Sequence, residues 1–122
     1  PTGILLSLAE IEKLLQEHRN AVIVIDEAYI DFGGETCLPL LKKYDNLVVV
    51  QTFSKSRSLA GIRLGVAYGS AEAISHLYDV KNSFNSYPID SLAQIIGEAS
   101  LMDEHYFQKN FQIFRYQIYP KF

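Results

Sequence analysis

The chain has 122 residues, 48% of them hydrophobic and 20% charged, with 14 acids against 11 bases for a net charge of −3. That is the length of one domain, with too much apolar residue for intrinsic disorder and no collagen-like repeat. No apolar run approaches the ~20 residues of a membrane helix, and an acidic balance supplies no general electrostatic reason to hold nucleic acid.

The chain opens on Pro1-Thr2-Gly3, a turn-like start with neither Met nor a signal-peptide pattern, which suggests a piece of a longer protein. Ser7 and Glu10 have the spacing of a capping box, and Leu8, Ile11, Leu14 and Leu15 recur at helical intervals, predicting a helix over 8–19. Ala21 to Ile25 is a continuous, mostly β-branched run, the pattern of a strand buried on both faces, ended by Asp26-Glu27. Gly33-Gly34 breaks the chain, and a short helix is expected within Thr36 to Tyr44, near Pro39. Leu47 to Gln51 is a second buried-type strand, followed by a loop over 52–61. Ile62 to Tyr68 is a third, weaker strand. Ser70 then caps a helix over 71–81, Asn82 to Pro88 is a loop, and helical periodicity resumes at Ile89 and again through Tyr106-Phe107. This order predicts an α/β fold with a mainly parallel sheet flanked by helices, the first two strands being parallel across a helical crossover. Ligands in such sheets collect at the carboxyl ends of the strands, where Asp26 and the Thr52 to Lys55 segment would share one edge.

Two segments carry chemistry. Asp26 ends a hydrophobic strand, where a buried carboxylate needs a cation, a metal or hydrogen-bond donors; the plainer reading is that it caps the next turn. A hydrophobic strand ending in Asp-Glu also occurs in P-loop NTPases, but their phosphate loop is missing from this chain. The second segment lies in 26 residues between Asp45 and Glu72 that contain no acid but hold Lys55, Arg57 and Arg63. Cations, hydroxyls and glycine beside a strand end make a candidate phosphate site, against the alternative of a solvated basic loop. Packing residues Phe53, Leu59 and Ile62 favour the former. A carboxylate, a phenol, a lysine and an arginine together match the needs of pyridoxal phosphate: an amine for its aldehyde, an acid for its ring nitrogen, donors for its phosphate.

Thr52 to Arg63 (TFSKSRSLAGIR), with lysine and arginine eight residues apart, resembles the cofactor-lysine segment of fold-type I pyridoxal-phosphate aminotransferases. Val24 to Phe32 (VIDEAYIDF) is similar to the segment of that family that carries its pyridine-binding Asp and a Tyr three residues later. Val80 to Gln94 resembles its histidinol-phosphate aminotransferase branch, and Pro1-Thr2-Gly3 the end of an Asn-Pro-Thr-Gly turn. The likeness extends over about residues 1–112, and Ile113 to Phe122 falls outside it. The resemblance implies that residues 1–122 are part of the cofactor-binding large domain. It implies that Lys55 forms the Schiff base with the cofactor and moves the substrate proton. It also implies that Asp26 pairs with the ring nitrogen, that Tyr29 bonds the phenolic oxygen, and that Ser54, Arg63 and, more weakly, Thr52 hold the phosphate. Asn85 becomes a candidate substrate contact; Arg57 acquires no role. The implied reaction moves an amino group between glutamate and imidazole acetol phosphate in histidine biosynthesis, in a cytoplasmic homodimer. Related fold-type I activities, namely aspartate or aromatic aminotransferases and threonine-phosphate decarboxylase, are the alternatives, with a non-catalytic interaction module as a third class. Further family parts, including a Gly-rich phosphate segment and a carboxylate-binding arginine, have no match within 1–122, so the piece alone is expected to be inactive.

His18, His76 and His105 have no ligand spacing to one another or to Cys37, so no metal site is expected. The single cysteine excludes an internal disulfide, leans towards the cytosol and suits a small buried hydrophobe. Tyr78, Tyr87, Tyr106, Phe107, Phe111 and Phe114 read as packing or interface aromatics rather than a base-stacking platform.

Overall fold

The computed structural model describes residues 4–113; the Pro1-Thr2-Gly3 turn, Phe114 and the rest of 114–122 lie outside them. Helix α1 (Leu8–Glu17) starts where the capping box places it. The Glu10 N–H donates to the Ser7 hydroxyl at 3.3 Å, and the Ser7 N–H donates back to the Glu10 carboxylate at 2.7 Å. These Ser7 contacts hold the Glu10 carboxyl below its ordinary range. Strand β1 (Ile23–Asp26) follows, then 3₁₀ turns at Ile30–Phe32 and Leu38–Lys42, then β2 (Leu47–Thr52). A further 3₁₀ turn (Ala60–Ile62) precedes β3 (Gly65–Gly69), and α2 (Ala71–Phe84), α3 (Ser91–Met102) and α4 (Glu104–Ile113) complete the chain. Ser70 caps α2 as expected, accepting the Ala73 N–H at 3.3 Å. The expected loop at Asn82 begins three residues late because α2 runs on to Phe84.

The α/β arrangement holds, and β1 and β2 are parallel, with Ile23 opposite Leu47 and Asp26 opposite Val50. The sheet is nevertheless mixed rather than mainly parallel, for β3 runs antiparallel to β2, pairing Thr52 with Gly65. The physical reason is the connection. Between Thr52 and Gly65 the chain forms a compact loop without the crossover helix that a parallel return requires.

One core joins Ile11 and Leu15 of α1, Cys37 and Leu40 of the crossover, and Leu47 and Val49 of β2. β2 is the central strand and is buried as its composition predicts. β1 is not buried on both faces. It is an edge strand whose Ile23 and Ile25 pack on the core, whereas Val22 and Val24 are 64% and 58% exposed. Alternation along a strand puts them on the side that no described element covers.

Cys37 is fully buried. Burial and the facing Glu27 carboxylate push its thiol from the ordinary 9.0 up to about 12. The folded protein should therefore leave Cys37 unmodified by a thiol-specific disulfide reagent at pH 8, with full reaction only after unfolding in guanidinium. Prompt labelling of the native chain would contradict that placement. Unfolding frees a thiol that loses its proton near pH 9, so this group lowers stability as pH rises from about 9 towards 12 and has no effect below.

Candidate cofactor site

The parallel register of β1 and β2 brings their carboxyl ends side by side, and a cleft of about 390 Å³ opens there. Asp26, Thr52, Ser54, Lys55 and Arg63 all line it, so five of the residues singled out from the sequence share one hollow. Its volume lies within the range of small-molecule sites.

Each side chain is set by local structure. Asp26 is exposed at the last position of β1 and accepts the Ala28 N–H at 2.9 Å, so the turn-capping role and a place in the cleft coexist. The Thr52 hydroxyl accepts the Ser54 N–H at 3.1 Å and donates to the Ser54 hydroxyl at 3.0 Å, which leaves the Ser54 O–H to donate elsewhere. The loop carrying Lys55 is anchored by buried Phe53, whose N–H donates to the Leu64 carbonyl at 3.2 Å and whose carbonyl accepts the Leu59 N–H at 3.0 Å. Ser58 and Arg63 take positive φ angles of 58° and 54°, left-handed conformations that cost roughly 1–2 kcal/mol each for residues other than glycine. At Arg63 this bend ends the 3₁₀ turn just before β3 begins.

Tyr29 does not line the cleft, but it meets the site through Lys55, whose ammonium lies 5.3 Å from the Tyr29 ring centroid. Asn85 is not brought in. It ends α2, exposed, with its side-chain oxygen accepting the Tyr87 N–H at 3.3 Å. Among the described residues the ion pairs are Lys13–Glu17, Lys43–Glu12 and His76–Glu72. Asp26, Lys55 and Arg63 thus reach the cleft unneutralised by one another. No group of three His, Cys, Asp or Glu among the described residues could hold a metal ion.

The structural roles of four residues escaped the sequence reading. Ser56 is buried and donates to the Asp31 carboxylate, tying the lysine loop to the turn that follows Tyr29. Arg57 donates to the Ser100 carbonyl of α3, and its guanidinium lies 4.4 Å from the Phe107 ring centroid of α4 and 5.9 Å from that of Phe53. At Gly97, α3 approaches so closely that an added Cβ would stand 2.5 Å from Leu64 Cδ2, beside Arg63. Glu27, not Asp26, is the buried carboxylate, at 5% exposure. One signal for it was available: adjacent strand residues face opposite ways, so only one of Asp26 and Glu27 could turn inward.

Comparison with known proteins bears on this arrangement. The family model described as aminotransferase class I and II matches residues 1–118. The chain belongs to that family. Within the aminotransferase class I and II family, it is 84% identical over 112 residues to the histidinol-phosphate aminotransferase of Lactococcus lactis subsp. lactis (strain IL1403), covering 92% of this chain and 31% of that protein. The chain thus spans about a third of the length of the relatives it matches. Among solved structures it resembles the histidinol-phosphate aminotransferase of Sinorhizobium meliloti in complex with pyridoxal-5'-phosphate. That match has a TM-score of 0.73 at 23% identity and covers 92% of this chain and 31% of that one. It also resembles the L-threonine-O-3-phosphate decarboxylase of Porphyromonas gingivalis, with a TM-score of 0.75 at 27% identity, covering 88% of this chain and 33% of that one. Membership of the aminotransferase class I and II family removes the P-loop reading. No helix among the described residues is long and apolar enough to cross a membrane.

Proposed function

We propose that residues 1–122 are part of the cofactor-binding large domain of a pyridoxal-phosphate-dependent histidinol-phosphate aminotransferase. The observation that carries this reading is the shared cleft, in which one carboxylate faces hydroxyls, an amine and a guanidinium at adjoining strand ends. That donor set suits a ligand with a cationic ring nitrogen, an aldehyde and a phosphate. Supporting the substrate choice is the 84% identity to a protein of that name. The backbone alone does not choose, because it matches a phosphothreonine decarboxylase equally well.

When bound, the cofactor supplies an electron sink for charge developing at the substrate α-carbon. The chain's own residues do the rest. Asp26 would hold the proton on the ring nitrogen through a charge-assisted hydrogen bond. Arg63 and the Ser54 O–H would hold the phosphate, the guanidinium offering a planar fork of donors that a lysine lacks, with the Thr52 hydroxyl backing Ser54. The Tyr29 O–H would donate to the phenolic oxygen. Lys55 would supply the amine that holds the cofactor, and the Lys55 Nζ would move the proton of the substrate α-carbon. Asn85 contributes to the substrate side only if the loop it begins folds over the cleft. Cytoplasmic location and a homodimer belong to the same proposal; exposed Phe84, Tyr87, Leu92 and Met102 give the α2–α3 region apolar surface suited to being covered. The 122-residue piece by itself should turn over no substrate.

The test is to incubate the full-length protein with pyridoxal phosphate, reduce with borohydride and map the modified peptide. The label is expected on Lys55, with amino transfer from histidinol phosphate to 2-oxoglutarate and no carbon dioxide released from O-phosphothreonine. A label elsewhere, or none, overturns the cofactor reading; decarboxylation without amino transfer overturns the substrate.

A further inference from the structure

Glu27 carries a buried carboxylate that the proposed chemistry does not use. Its oxygens accept from the Thr36 hydroxyl at 2.7 Å, the Cys37 N–H at 2.7 Å and the Gln51 side-chain amide at 2.9 Å. All three donors are neutral, and no cation is among the partners. A carboxylate is costly to bury on such terms compared with an apolar side chain of similar size. Its placement, by contrast, is informative.

The three bonds join the end of β1 to the end of β2 and to the crossover at Thr36–Cys37. Gln51, one of the donors, also borders the cleft. Along an extended chain, Glu27 turned inward obliges Asp26 to turn outward, into the cleft. The Glu27 N–H donates to the Val50 carbonyl at 2.9 Å, and its own carbonyl accepts the Ile30 N–H at 3.1 Å, starting the turn that bears Tyr29. The Asp26 carboxylate is itself held by the N–H of Ala28, the peptide that Glu27 leads into. Glu27 therefore sits between the two side chains proposed to contact the cofactor ring, and its hydrogen bonds fix the backbone on both sides.

We propose that Glu27 is a positioning residue that aims Asp26 at the cofactor, by pinning the end of β1 to Gln51 and to the Thr36–Cys37 segment. This inference rests on the cofactor reading above. The experiment measures the affinity of the full-length protein for pyridoxal phosphate by absorbance titration, for Glu27→Gln and Glu27→Leu, each with Asp26 intact and with Asp26→Ala. Glu27→Gln keeps the shape and the hydrogen bonds once the Gln51 amide and the Thr36 hydroxyl both turn to accept from the new side-chain NH2, so affinity should stay within about 3-fold. Glu27→Leu strands the donors and should weaken binding about 10-fold when Asp26 is present. In the Asp26→Ala background the same change should cost less than about 2-fold, because its effect runs through Asp26.

Equal losses in both backgrounds would show general damage to the strand end and overturn the proposal, as would no loss in either. Should Glu27→Leu fail to fold, Gln51→Leu removes one donor and is read through the same pairing with Asp26→Ala, with the same two outcomes. Failure of the cofactor reading looks different: the unmutated protein would then give no borohydride-fixed label on Lys55. A Lys55 label together with an indifferent Glu27→Leu defeats only the positioning role.

Discussion

Replacing Lys55 by Ala in the full-length protein should lower amino transfer by roughly 10⁴-fold or more, the upper range for loss of a positioned acid–base group. The same variant should give no covalently fixed cofactor after borohydride, although noncovalent binding should survive. That division follows from the cleft. Asp26, Ser54 and Arg63 line it independently of the Lys55 side chain, and the loop is held by Phe53, Ser56 and Arg57. Lys55 itself is exposed, and its recorded side-chain contact is the Tyr29 ring, so its removal should leave the fold intact. Thermal unfolding unchanged with activity gone is the expected pair of results. Appreciable turnover by Lys55→Ala would mean that another amine performs the proton transfer.

Asp26→Ala should separate attachment from turnover in the opposite sense. Lys55 is still present, so the borohydride label should still map to it. On the proposed assignment, removing the carboxylate would take away the anion that keeps the ring nitrogen protonated and so weaken electron withdrawal from the α-carbon. Loss of one such preorganised electrostatic partner costs about 10²–10³-fold in rate. Asp26→Asn should lie nearer Ala than wild type, because an amide supplies a dipole but no charge. Ala also removes the acceptor of the Ala28 N–H, which the Asn side-chain oxygen retains. A difference in stability between Asn and Ala therefore measures the turn, whereas their shared loss of turnover measures the charge. Full activity in either variant would remove Asp26 from the chemistry.

Much of this was legible where the determining physics is local. Ser7 and Ser70 marked their helix starts because a cap needs only a hydroxyl and the next turn of backbone. Leu47 to Gln51 announced a central strand because its apolar run meets packing on both sides. The five candidate positions Asp26, Thr52, Ser54, Lys55 and Arg63 were legible as a set because strand ends gather ligands, and the structure lines one cleft with them. What failed depended on distant partners. Val22 and Val24 carry the same β-branched signal as buried residues, yet β1 is an edge, and edge position is a property of the sheet. The direction of β3 followed from the shape of a loop rather than from its own residues. Burial was assigned to Asp26 although its neighbour takes it, because a run of apolar residues tells where a strand ends but not which way its last side chain turns. Arg57 was read as one cation of a candidate phosphate site, whereas its partners lie on α3 and α4, where no local signal reaches.

That last contact also orders events in time. Lys55 and its neighbours precede Ser100 and Phe107 by a long stretch of chain, so a protein growing from its amino end makes its reactive loop well before the two helices that brace it exist. Contacts between residues far apart in sequence close late, because the intervening chain must first surrender its freedom. The amine-bearing loop should thus gain its last braces late in folding, held first through Phe53 and Ser56 and then by the docking of α3 and α4. A protein caught short of that step would have its strand ends assembled and its lysine loop braced from one side alone.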